Sequence, residues 1–237
     1  NEPGGYFAPA LLSMHYTVTK GNVWIVPGLN LDSIIMNQRG IYKDMNRKFA
    51  DIDLKDPDYT IVEDIKKLII HPQIGLILNL HDGHGFYRSE YKNETFNPKA
   101  WGQAFIIDQS AIKGVKFGNL EDLARQVNNK DKIVLADDEH DFSVKNTLTS
   151  EQKKKKKKSL TYFAITRGKP ALAIETSKNI KETALKVFYQ LQTIERFMNL
   201  MGIEYQRDFE LTLDNVKYLL EKERGIVTSC DGRVRYI

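Results

Sequence analysis

Ile74-Gly75-Leu76-Ile77-Leu78-Asn79-Leu80-His81-Asp82 is the stretch on which the reading of this chain turns. It is almost continuously apolar, ends abruptly in an imidazole and a carboxylate, and runs at once into a turn containing Gly83 and Gly85. A run of that length bounded by turn residues is the pattern of a strand buried on both faces, in the middle of a parallel or mixed sheet. His81 then stands at the carboxyl end of a central strand, the edge of an open α/β sheet where the departing loops form a ligand crevice.

Working outward on the N-terminal side, Tyr59 to His71 alternates Ile61, Ile65, Leu68 and Ile69 with charged residues, an amphipathic helix leading into the strand. Asn22 to Leu29 reads as a short apolar strand ending at Pro27 and Gly28, so that strand, helix and strand form a βαβ unit. Tyr6 to Thr17, with Phe7, Leu11, Leu12 and Met14 at helical spacing, reads as a buried helix, and Glu2 lies just before it. Between strand and helix comes an irregular polar segment with Asn30, Asn37, Asn46, Arg39 and Arg47, a composition that suits an anion site.

On the C-terminal side, Phe105 to Ile107 reads as a strand and Leu120 to Val127 as a short helix. From Asn128 to Lys158 the chain is strongly polar, and the lysine run reads as a solvated loop passing into a helix. Order returns at Ser159 to Thr166. Pro170 to Ser177 is a second apolar run with one ionisable residue, Glu175, near its tip. Glu182 to Met201 is a long helix with Leu185, Val187, Phe188, Leu191, Ile194 and Met198 inward, Leu211 to Glu223 a last helix, and Gly225 to Ile237 a strand-like tail. The expected class is α/β, a mixed central sheet flanked by helices.

The length of 237 residues fits one large domain. No window reaches the ~20 apolar residues of a membrane span, and a signal-peptide pattern is absent, although the first residue is not methionine and the chain is expected to begin inside a longer protein. The formal charge of +4 comes from Lys153 to Lys158; without that run 29 basic residues face 31 acidic ones, so no nucleic-acid partner is expected. A single cysteine, Cys230, rules out an internal disulfide framework and a multi-cysteine zinc site.

The residues that carry chemistry are Glu2, Arg39, Asn46, Arg47, His81 and Glu175, all at loop or strand ends. A catalytic zinc commonly takes three side-chain ligands and one water, and His81 and Glu2 are suitable ligands. A carboxylate beside that water serves as base, which suits Glu175. One arginine can stabilise an oxyanion while another, with an asparagine, holds a free carboxylate bidentately. Each residue also has a plainer reading. His81 alone could be structural, or could cluster with Asp82 and His84; Glu2 could merely favour a helix N-terminus; Glu175 could pair with a buried arginine; Trp101 could be core packing.

Asp44-Met45-Asn46-Arg47-Lys48-Phe49 resembles the Asp-Leu-Asn-Arg-x-Phe motif of the zinc carboxypeptidases related to carboxypeptidase A, and Asn30-Leu31-Asp32 is similar to their Asn-Pro-Asp. Asn1-Glu2-Pro3-Gly4-Gly5, His81-Asp82-Gly83 and Asn97-Pro98-Lys99-Ala100-Trp101-Gly102 bring it closer to the DL-carboxypeptidases that trim peptidoglycan and set helical cell shape in Gram-negative bacteria. The resemblance implies a periplasmic zinc enzyme acting on peptidoglycan muropeptides, cutting between D-glutamate and meso-diaminopimelate of a tripeptide stem. It implies Zn2+ held by Glu2, His81 and a third ligand upstream of Asn1, with Glu175 as base and Arg39 on the oxyanion. Asn46 and Arg47 would hold the terminal carboxylate, and Trp101 would touch substrate. Residues 1–224 would be the catalytic domain, N-terminally incomplete, with 225–237 leading into a following β domain. The alternatives are an ordinary zinc carboxypeptidase or amino-acid deacylase of the same fold, and an inactive peptidoglycan-binding module; the presence of both Glu2 and Glu175 argues against the last.

Overall fold

A computed structural model describes residues 2–128, 133–151 and 157–223 and, by backbone alone, 156, 226–228 and 234–236. Asn1, Lys153 to Lys155, Cys230 and the remainder of the 225–237 tail lie outside the described residues.

Helix α1 (Pro3–His15) runs directly into strand β1 (Tyr16–Lys20), followed by the short helix α2 (Leu31–Ile35) and helix α3 (Tyr59–Ile70). Strand β2 (Ile77–Gly83) leads into the small strands β3 (Phe86–Tyr87) and β4 (Phe96–Asn97), then strand β5 (Ala104–Ile107) and helix α4 (Leu120–Val127). Strand β6 (Ser143–Asn146), helix α5 (Leu160–Thr166), strand β7 (Ala171–Ser177) and helix α6 (Thr183–Leu200) follow. Strand β8 (Glu204–Arg207) and helix α7 (Leu213–Lys222) precede a hairpin of β9 (Ile226–Thr228) and β10 (Val234–Tyr236). Local sequence sets many of these starts. Asn30, Asn119, Ser159 and Thr212 each accept a backbone N–H at the head of α2, α4, α5 and α7, a cap worth about 1 kcal/mol.

The main sheet has the order β2-β7-β5-β6, with β2 and β7 parallel, β7 and β5 antiparallel, and β5 and β6 parallel. It is mixed, as the sequence led one to expect. Helices α1 and α6 pack on one face, where Asp82 meets Gly4 and Lys186; α5 packs against β2 and β7 as well. The core is dominated by residues such as Phe105, Leu172, Ile174, Leu191 and Phe197, each fully buried and each worth roughly 1.5–3 kcal/mol of transfer free energy. All six residues assigned to the inner side of α6 are buried.

Four expectations need correction. The Ile74–Asp82 run forms a strand, but β2 is the outer strand of the described sheet and its first five residues are only partly buried. Asn22 to Leu29 is not a strand: no strand among the described residues pairs with it, and a strand needs a partner for its N–H and C=O groups. A largely apolar cavity of about 530 Å³, lined by Val23, Ile25 and Leu29 on one side and Ile77, Leu78 and Leu80 on the other, lies beside that segment. The βαβ unit is therefore not formed there. The first helix begins at Pro3 and ends at His15, because Tyr16 to Lys20 pairs antiparallel with β8; Met14 is exposed. The polar segment after Asn128 holds a strand, β6, that its composition concealed.

Candidate active site

The register of β2 and β7 places His81 beside Glu175, and that of β7 and β5 places Glu175 opposite Ala104. Paired residues in adjacent strands project to the same face, so the two strand tips present an imidazole and a carboxylate side by side. Asp82, one residue on, points to the opposite face, which breaks up any His81–Asp82–His84 cluster.

Glu2 reaches this edge from the head of α1. Its Oε2 lies 2.7 Å from His81 Nδ1, while Oε1 is 3.5 Å from an Arg39 guanidinium nitrogen and 3.3 Å from Lys178 Nζ. Arg39 also approaches Asp44 at 3.4 Å. Burial opposes the charge on both Glu2 and His81, but their mutual attraction prevails. Glu2 is held well below the usual carboxylate range, helped by Arg39 and Lys178, and His81 is raised to about 9. Glu175 behaves differently. Among the described residues no hydrogen bond or ion pair holds its carboxyl, and burial pushes it up to about 7 against the pull of His81.

The segment from Asn30 to Lys48 is organised around a buried carboxylate, Asp58. Asp58 accepts from Asn30 Nδ2 and Lys48 Nζ, each at 2.8 Å, so Asn30 is structural. The single 3-10 turn Met45–Arg47, capped by Asp44, brings Asn46 to the site. Asn46 Oδ1 accepts from Leu160 N–H at 2.9 Å, which turns Nδ2 toward His81 Nε2, 3.4 Å away. Arg47 folds back to donate to the Asn46 carbonyl at 2.7 Å. Trp101 lies with Tyr87 against Ala104, Ile106 and Ala173, the sheet face that carries Glu175, and the Lys145 ammonium sits over its ring at 4.5 Å.

Structure thus brings together Glu2, Arg39, Asn46, His81 and Glu175, with Arg47 adjoining and Trp101 further along the same face. Sequence reading missed Lys178, whose only signal is a cation three residues beyond Glu175 on the loop leaving β7. It also missed the support behind His81: Gln190 Nε2 donates to the His81 carbonyl at 3.0 Å and to that of Ile174 at 3.2 Å.

Glu2 and His81 offer zinc the nitrogen and oxygen donors it takes. Three metal-binding side chains in one cluster do not occur among the described residues, so they supply two ligands at most. No helix among the described residues is long and apolar enough to cross a membrane.

Comparison with curated protein sequences returned no match. The product-bound and tripeptide-bound structures of the cell shape determinant Csd4 from Helicobacter pylori each match at 44% identity with a TM-score of 0.90, covering 95% of this chain and 55% of theirs. An mDAP-bound form of Helicobacter pylori Csd4, described as a D,L-carboxypeptidase, matches at 43% identity and a TM-score of 0.90, covering 95% and 54%. The chain spans about half the length of these relatives. A family model described as the catalytic part of carboxypeptidases controlling helical cell shape matches residues 1–221, nearly the whole chain, and the chain belongs to that family.

Proposed function

We propose that the protein is a zinc-dependent DL-carboxypeptidase of the periplasm that trims peptidoglycan tripeptide stems to dipeptides, releasing meso-diaminopimelate, and thereby helps set cell shape. One observation carries the reading: Glu2 and His81 meet at 2.7 Å beside Glu175, a half-buried carboxyl that no hydrogen bond or ion pair holds among the described residues. The match over residues 1–221 supports 1–224 as the catalytic unit.

In this reading Glu2 and His81 hold the metal with a third ligand from upstream of Asn1. Zinc, when bound, polarises the scissile carbonyl and makes water acidic enough to attack at neutral pH. Glu175 takes a proton from the attacking water as its oxygen bonds to the carbonyl carbon. It then gives that proton to the amine nitrogen as the C–N bond breaks. Burial favours the protonated form of this carboxyl, which helps it keep the proton between the two halves of that transfer. Arg39, held near Glu2 and Asp44, donates to the oxygen that gains negative charge. Arg47 and Asn46 grip the terminal carboxylate, and the Trp101 and Tyr87 rings provide a floor for the peptide.

A digest of purified muropeptides by the zinc-loaded full-length protein, read by mass spectrometry, tests the reading. Tripeptides should shorten to dipeptides while tetrapeptides stay intact, because an added D-alanine moves the recognised carboxylate away from the scissile bond. Trimming of tetrapeptides, or equal release of ordinary C-terminal L-amino acids, would make it a general carboxypeptidase. No cleavage at all would leave a binding module.

A further inference from the structure

Glu2 occupies the N-cap of α1, yet its side chain makes no capping hydrogen bond. A polar residue there would ordinarily fold back onto the free N–H groups of the first turn. In this protein another residue does so. Gly4 N–H, in that first turn, donates to Asp82 Oδ2 at 3.1 Å, although Asp82 lies 78 residues away on β2. The other Asp82 oxygen accepts from Thr176 Oγ1, and the Lys186 ammonium of α6 stands 3.6 Å from Oδ2. Asp82 and Lys186 are both buried, and a carboxylate facing a helix N-terminus complements its positive end. The approach leaves no room for side chains on α1: a Cβ at Gly4 would collide with Asp82 and Thr176, and one at Gly5 would meet the Leu80 carbonyl at 2.6 Å.

We propose that Asp82 is the positioning residue for Glu2, capping α1 in its place so that the Glu2 carboxylate is free to meet His81. The connections close a ring. Glu2 is two residues from Gly4, Gly4 is bonded to Asp82, Asp82 follows His81, and His81 returns to Glu2 at 2.7 Å. Because side chains alternate along a strand, tying Asp82 to α1 on one face of β2 sets how far Glu2 stands from His81 on the other. Its consequence for metal binding rests on the reading of Glu2 and His81 as ligands; the positioning itself does not.

Asp82→Asn in the full-length protein keeps the shape but loses the charge and one acceptor oxygen. Three measurements follow: zinc affinity by competition with a chelator, the visible spectrum of the Co2+-substituted protein, and the imidazole nitrogen resonances of His81 without metal. Zinc affinity should fall 10- to 100-fold, as changes behind a ligand typically cause, and the Co2+ bands and His81 resonances should shift. Thr176→Val, which removes one support of Asp82, should shift the same readings less, and it decides the matter if Asp82→Asn does not fold. Parental affinity and unchanged His81 resonances would overturn the proposal while leaving the enzyme assignment standing. A parent that binds no zinc, but whose His81 resonances shift in the variant, would sustain the positioning role and defeat the metal site instead.

Discussion

At the tips of β2 and β7 two carboxylates stand one register step apart on opposite faces of the sheet. Asp82 faces α1 and α6 and is held by Gly4, Thr176 and Lys186. Glu175 faces the other way, and among the described residues no hydrogen bond or ion pair holds it; burial pushes its pKa up to about 7. Burial pushes both carboxyls up, but Asp82 offsets part of that cost through its hydrogen bonds and a nearby cation. A buried carboxyl left without partners is a weakness in a fold and an asset at a reaction centre, where the missing partner is substrate or water. The inner face of these strand tips maintains structure, and in the proposed reading the outer face is kept for chemistry.

If that division holds, damage to the outer face should remove function without unfolding the protein. The largest effect is expected from His81→Ala or Glu2→Ala in the full-length protein: stoichiometric zinc is lost while the far-ultraviolet circular dichroism stays parental, since catalytic metal sites seldom hold a fold together. Unchanged zinc content in both variants would break the comparison at its centre. A smaller effect belongs to Arg47→Lys, which keeps a charge but not a planar fork. Losing one charge-assisted hydrogen bond to the terminal carboxylate is worth about 1.5–3 kcal/mol, roughly ten- to a hundredfold in kcat/KM. Parental kcat/KM would show that Arg47 does not read the chain end.

The smallest effect sharpens the contrast through stability. In the metal-free protein Glu175 holds its proton up to about 7 when folded, against an ordinary 4.5. As pH rises between those values the unfolded chain sheds the proton first, so the unfolded state is favoured and stability falls. Glu175→Gln cannot titrate and should escape that fall. Its denaturation midpoint should gain on the parent's from about pH 4 to about pH 8, and a constant difference across the range would refute the cause assigned to the shift.

Much of this was legible from residues alone where the signal was local. Helix α4 starts at Leu120 and ends at Val127 as expected, and α3, α6 and β7 fall within a residue or two of their expected limits. What failed depended on neighbours. An apolar run reveals that β2 avoids water but not which strands flank it, and Val23 to Val26 has strand composition without a strand to pair with. Strand β6 was concealed because Lys145 looks like surface, although its ammonium reaches the Pro98 and Ala100 carbonyls and covers two aromatic rings. In the site, His81 and Glu175 could be found because each interrupts an apolar strand. Lys186 and Gln190 could not: on α6 they read as a solvent face, and only the packing of α6 on the sheet buries them.

Glu175→Gln in the zinc-loaded full-length protein, assayed for diaminopimelate release from muropeptide tripeptide, tests most directly the claim that the unpartnered carboxyl is the base. Zinc content and substrate binding should remain parental while turnover falls about 100- to 10,000-fold, the usual worth of a general base. Turnover within a few-fold of the parent, with zinc still bound, would contradict it.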